Sequence, residues 1–209
     1  MDMLPTYTPE LLSALALFAF ATSITPGPNN TMLLASGANF GLRATLPHLV
    51  GVVVGFLSLI LFCGLGLAGV FAAFPVLNLV LKWGGGAYLL WLAFKIGTAS
   101  GIGAKAIGAR PMRIRQALAF QYVNPKGWAM ALGAVSTYVP AKAFLPNLGV
   151  AVVVFSLCGA PCSFIWAAFG VGLRRFLDRP AVLRAFNIAM ALLLVASLYP
   201  LFAELGGKH

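Results

Sequence analysis

Acidic side chains are nearly missing from this chain. Of its 209 residues only four are Asp or Glu, namely Asp2, Glu10, Asp178 and Glu204, and all four lie near a terminus or in a loop. Histidine is equally scarce, with two, His48 and His209. Metal-dependent membrane enzymes need clusters of His and carboxylates, and a rhomboid-like protease needs a serine in Gly-x-Ser-Gly with a buried histidine; the chain has no such cluster or motif and no buried histidine is expected of it, so no enzyme, metal or cofactor is expected. Cysteine numbers three, Cys63, Cys158 and Cys162. An odd count confined to apolar segments is no disulfide framework, and packing is the expected role. Charge of any kind is thin, at 9% against 61% hydrophobic residues, and the mean hydropathy is +0.95. That balance excludes an ordinary soluble domain.

Long apolar runs are abundant. One crossing of a bilayer needs roughly 20 apolar residues, and six runs qualify: 10–36, 44–72, 76–96, 115–139, 145–173 and 182–203. The expectation is an all-α integral membrane protein with six transmembrane helices. The first run lacks the basic flank of a signal peptide and is read as a retained helix. A net charge of +10 raises the question of nucleic acid. The basic residues instead sort by side of the membrane. Arg43, Lys95, Lys105, Arg110, Arg113, Arg115, Arg174, Arg175, Arg179 and Arg184 fall on one side, against Lys82, Lys142 and Lys208 on the other. The positive-inside rule then puts both termini outside the cytoplasm and makes membrane lipid, with no nucleic acid, the expected surroundings.

Two of the runs are broken near their middles. The first contains Ile24-Thr25-Pro26-Gly27-Pro28-Asn29-Asn30 and the fourth Gln121-Tyr122-Val123-Asn124-Pro125-Lys126-Gly127-Trp128. Proline has no amide hydrogen and clashes with the carbonyl four residues back, so Pro26, Pro28 and Pro125 should free the carbonyls of Thr22, Ile24 and Gln121. An unpaired carbonyl is tolerable in hydrocarbon only where protein, water or ligand satisfies it. A polar linker, 98–114, divides the chain into halves, 1–97 and 115–209, each opening on a broken helix and holding three crossings. An odd number of crossings per half implies two inverted three-helix repeats with broken first helices, and paired breaks point to a transporter's binding site.

A half-helix starting inside the membrane aims unpaired amides, and the positive end of its dipole, at the midplane, which suits a carboxylate. Lys126 adds a full positive charge at that depth. Its alternative role is structural, pairing with the freed carbonyls or reaching a water-filled vestibule. Acceptors surround it: the carbonyls freed by Pro26, Pro28 and Pro125, and the amides of Asn29, Asn30, Gln121 and Asn124. A cation facing acceptors, with no acid in any crossing, suits a small neutral zwitterion over lysine or arginine. The expected substrate-binding set is Pro26, Gly27, Pro28, Asn29, Asn30, Gln121, Asn124, Pro125 and Lys126. Lys126 and His48 are the candidates for proton coupling, although the simpler expectation for His48 is a solvated interfacial position.

Gly51 and Gly55 have the small-xxx-small spacing that lets helices approach closely. The Ile24–Asn30 break, the Gly51/Gly55 helix, the run Lys82-Trp83-Gly84-Gly85-Gly86-Ala87-Tyr88-Leu89-Leu90-Trp91-Leu92 and the Asn124-Pro125-Lys126 motif together resemble the LysE/RhtB family of bacterial amino-acid exporters over nearly the whole chain. Asn29-Asn30 and the Phe-Gln-Tyr-Val-Asn approach to the second break are similar to its cysteine/O-acetylserine branch. The resemblance implies a bacterial inner-membrane protein that exports amino acids by secondary-active, proton-driven antiport. Many family members carry an acid in the second or fifth helix, where this chain has Phe56, Ser58, Cys158 and Cys162. Lys126, His48 or the substrate's own amino group would then carry the proton, or transport would be uncoupled. A modest core and Gly-rich faces suggest a homodimer. The rival readings are a non-transporting membrane scaffold or assembly protein, and an exporter of a metabolite other than an amino acid.

Overall fold

The computed structural model of the chain describes residues 5–67, 110–177 and 179–196, with Val76, Trp83, Gly84, Ala87, Leu90, Trp91, Ala93, Phe94 and 96–98 between them. Most of the expected third crossing and of the 98–114 linker, including Lys82, Gly85, Lys95 and Lys105, lies outside the described residues, as does Asp178. The described residues form seven α-helices and no strand. These are α1 (Pro9–Ile24), α2 (Pro28–Phe40), α3 (Leu42–Phe62), α4 (Ile114–Gln121), α5 (Pro125–Tyr138), α6 (Phe144–Leu173) and α7 (Pro180–Ala196).

The boundaries follow local chemistry. Thr8 caps α1 by accepting from Leu11 N at 3.3 Å, with Pro9 in the first turn where its missing N–H costs nothing. Pro28 and Pro125 start α2 and α5 in the same way. Gly41, at φ 81°, turns the chain from α2 into α3 in a conformation that L side chains rarely adopt. The first apolar run is therefore two helices bent by 52° across the Thr25–Gly27 break. The fourth run is α4 and α5, separated by 122–124. By length and composition Leu42–Gly66 and Phe144–Phe176 can each cross a membrane, and the α1–α2 pair makes a third span if counted as one. Those are two or three of the six expected.

α6 is the central post, packed against α2, α1 and α3. Where α2 crosses it, a Cβ on Gly37 would run into the Ala167 carbonyl, and one on Gly170 into the Leu34 carbonyl. The two backbones meet because both sides give up a side chain. The Gly51/Gly55 pair works likewise against α4: Cβ atoms there would stand 2.5 Å from the Ile114 carbonyl and 2.8 Å from Leu118 Cα. The main core joins Leu15 and Ala19 of α1, Leu59 and Ile60 of α3, Ala131 and Ala134 of α5, and Leu148, Ala151 and Phe155 of α6. At one end Asn147, fully buried, accepts from Thr6 N at 2.8 Å through Oδ1 and donates to the Lys142 carbonyl at 2.7 Å. Tyr7 donates to the Asn147 carbonyl at 3.4 Å, and burial pushes its hydroxyl up to about 12, so it remains a donor.

One expectation is corrected here. His48 is 1% exposed, not solvated. It lies on the α3 stripe Thr45, His48, Val52, Gly55 and Leu59, all buried, whose three- and four-residue spacing turns it inward.

Candidate functional site

The two breaks, about a hundred residues apart in sequence, abut in space. Asn29, in the first turn of α2, and Gln121, the last residue of α4, exchange reciprocal hydrogen bonds: Asn29 Nδ2 donates to Gln121 Oε1 at 2.7 Å and Gln121 Nε2 donates to Asn29 Oδ1 at 3.1 Å. Gln121 Nε2 also donates to the Ala117 carbonyl at 2.9 Å. From α5, Lys126 Nζ reaches back to the first break and donates to Thr25 O at 2.8 Å, Thr25 Oγ1 at 2.9 Å and Pro26 O at 3.2 Å. Gly27 makes room for it, since a Cβ there would stand 2.7 Å from Lys126 Cδ.

All three carbonyls that the prolines were expected to free have found donors. Thr22 O accepts from Thr25 Oγ1 at 2.9 Å, Ile24 O from the indole N–H of Trp166 at 3.0 Å, and Gln121 O from Asn124 N at 3.3 Å. Asn30 Nδ2 adds bonds to Ser23 O at 2.7 Å and Thr25 O at 2.8 Å, bracing the end of α1 from within α2. Asn124 Oδ1 caps α5 by accepting from Lys126 N at 3.2 Å. The break is therefore a satisfied structure, as a non-helical segment at membrane depth must be.

A cavity of about 50 Å³ opens beside these contacts. Gly27, Asn29, Asn30, Asn124 and Lys126 of the expected set line it, with Thr22, Ser23 and Ser163 adding polar groups. Pro26, Pro28, Gln121 and Pro125 are not on its wall: Pro26 bonds to Lys126 through its carbonyl, Gln121 bonds to Asn29, and Pro28 and Pro125 start the two helices. The remaining wall is apolar, with Val52, Val53, Phe56, Met130 and Phe155, and Phe56 meets Phe155 edge-on at 5.4 Å between centroids. Among the described residues no Asp or Glu is on that wall. His48 is not on it either, and neither of its ring nitrogens has a hydrogen-bond partner among the described residues.

Sequence reasoning missed Thr25, Ser163, Trp166 and the phenylalanine pair. Trp166 carried a usable signal, because a tryptophan inside an apolar helix needs an acceptor for its N–H. Phe56 and Phe155 carried none, being indistinguishable from core.

No solved structure matches the chain. The family described as LysE type translocator matches residues 20–197. The chain is 34% identical over 194 residues to the cysteine/O-acetylserine efflux protein of Escherichia coli (strain K12), an alignment covering 90% of this chain and 95% of that one. It is 34% identical over 190 residues, at the same coverage, to the protein of that name in Salmonella typhi. A six-run hydrophobic chain with two abutting breaks and a match over most of its length belongs to the LysE type translocator family.

Proposed function

We propose that the protein exports small neutral amino acids of the cysteine, O-acetylserine and threonine type from the cytoplasm, as a secondary-active, proton-coupled antiporter in the bacterial inner membrane. The observation that carries this reading is the junction of the two breaks: one ammonium, Lys126, beside a small cavity with amide and hydroxyl groups on one side and an apolar wall on the other. A zwitterion fits those parts. Its carboxylate pairs with Lys126 and the N-terminal amides of α2 and α5, and its α-ammonium takes the carbonyls at the end of α1. The Val52, Val53, Phe56 and Phe155 wall receives a short side chain. A lysine or arginine side chain would bring a second positive charge to a wall with no carboxylate among the described residues, which is unfavourable in a low-dielectric site. The names of the two relatives agree with small neutral substrates.

The remaining architecture is proposed on the same footing: two inverted three-helix repeats, 1–97 and 115–209, joined by the 98–114 linker, both termini outside the cytoplasm, and association as a homodimer. Proton coupling falls to Lys126, His48 or the substrate's amino group. The test is efflux of labelled cysteine, O-acetylserine, threonine and lysine from preloaded cells, with and without a proton-gradient uncoupler. Export of the neutral amino acids, stopped by the uncoupler and absent for lysine, is the expected result. Lysine efflux equal to that of threonine overturns the substrate class, and no efflux of any of the four returns weight to a scaffold.

A further inference from the structure

The three oxygens around Lys126 Nζ form a cage that is not specific to lysine. An ammonium on a carbon has three N–H donors, and here each has an acceptor, Thr25 O, Thr25 Oγ1 and Pro26 O, at 2.8, 2.9 and 3.2 Å. All three acceptors are neutral, and they sit at the C-terminal end of α1, where the helix dipole favours a cation. The cage is held by bonds that do not involve Lys126. Asn30 Nδ2 fixes Thr25 O and Ser23 O, Thr25 Oγ1 is oriented by donating to Thr22 O, and Trp166 holds Ile24 O. The lysine stem reaches it only across Gly27, where a Cβ would stand 2.7 Å from Cδ and 3.1 Å from Nζ. Thr25 and Pro26 are exposed, so a second ammonium can approach the cage when the first leaves.

We infer that the Thr25–Pro26 cage is a primary-ammonium site, filled by Lys126 while the cavity is empty and taken over by the α-ammonium of the incoming substrate as Lys126 turns to the substrate's carboxylate. The identity of the natural ligand rests on the amino-acid reading above; the cage itself does not. The three oxygens hold an ammonium before and after the exchange, which gives Lys126 a charged acceptor in place of neutral ones. It also makes the site demand both halves of a zwitterion. An amine alone must displace a tethered ammonium present at high effective concentration, with nothing to hold the displaced lysine. A carboxylate alone would draw Lys126 away and leave Thr25 Oγ1 and Pro26 O without a donor, with only Thr25 O keeping its bond from Asn30.

Full-length protein in mild detergent tests this by thermal unfolding at fixed ionic strength, with ethylammonium, tetraethylammonium or sodium chloride as the added salt. Lys126→Met empties the cage. Its unfolding midpoint is expected to rise saturably with ethylammonium and not with tetraethylammonium, which has no N–H, or with sodium. Wild type is expected not to respond over the same range. Adding Thr25→Val to Lys126→Met removes one acceptor and is expected to weaken the ethylammonium response about tenfold. Gly27→Ala is the second route, because it keeps the lysine but blocks its stem; it too is expected to gain the ethylammonium response, and it carries the test if Lys126→Met does not fold. The cage is overturned if neither variant prefers ethylammonium to tetraethylammonium, if sodium acts as well, or if wild type responds like the variants. Wild-type amino-acid efflux without any ethylammonium response sinks the cage and leaves the exporter. The ethylammonium response without efflux sinks the exporter and leaves the cage.

Discussion

Replacing Gln121 by leucine keeps the side chain's approximate volume and removes every polar group in it. Gln121 is fully buried, and among the described residues its amide is the one partner of both polar atoms of the Asn29 side chain, through bonds of 2.7 and 3.1 Å. A buried polar group left without a partner costs about 1–3 kcal/mol. Asn29 is half-buried against the cavity, so water recovers part of its loss. Gln121→Leu is therefore expected to destabilise by about 2 kcal/mol, at the low end for two stranded atoms. Asn29→Leu strands Gln121 Oε1 and leaves Nε2 its bond to Ala117 O, for a cost of about 1–2 kcal/mol. The double substitution strands neither, so the cycle should show a coupling of about 3–4 kcal/mol, the sum of the two single costs, and any gain from burying leucine cancels within it. Reversible unfolding in mixed micelles, titrated with denaturing detergent, reads all four stabilities. Independent sites add within about 0.5 kcal/mol, and additivity at that level would mean that the two breaks are not held together by this pair.

Three further substitutions probe the frame. Gly170→Ala puts a Cβ into the Leu34 carbonyl and 2.9 Å from Ala38 N, backbone atoms that cannot rotate away, and should cost about 1–3 kcal/mol in the same unfolding titration; a neutral result would contradict the close α2–α6 crossing. Ala143 holds φ 53° before α6, so Ala143→Gly should relieve left-handed strain and raise stability by about 0.5–1 kcal/mol, whereas a loss would argue against that conformation. His48→Leu removes two buried nitrogens that have no hydrogen-bond partner among the described residues and is expected to be neutral or to stabilise by about 1 kcal/mol; a loss of more than that amount would reveal a partner for the imidazole.

The breaks were legible in the sequence because proline and glycine act locally. Pro28 and Pro125 mark the first residues of α2 and α5, and the interrupted runs 10–36 and 115–139 correspond to α1–α2 and α4–α5. The Gly51/Gly55 seam was legible for the same reason, since its spacing alone puts two small residues on one helix face. What meets across space was not. That Gln121 pairs with Asn29 follows from how α4 packs on α3 and α2, and the amide pattern of either break taken alone leaves its partner open. His48 was misread because its nearness to a loop was weighed above its place on the Thr45–Leu59 stripe, and the stripe won. Thr25 looked like one more turn residue, yet it supplies two of the three oxygens around Lys126.

Reconstituting wild type and Lys126→Met at matched amounts in liposomes loaded with labelled O-acetylserine, and following its release under an imposed proton gradient, puts the site and the function to one test. Saturable release by wild type, lost by at least tenfold in Lys126→Met while that variant still unfolds cooperatively, is the result expected of an exporter whose substrate carboxylate meets this lysine. Equal release by the two proteins would show that Lys126 only braces the break and that the substrate binds elsewhere.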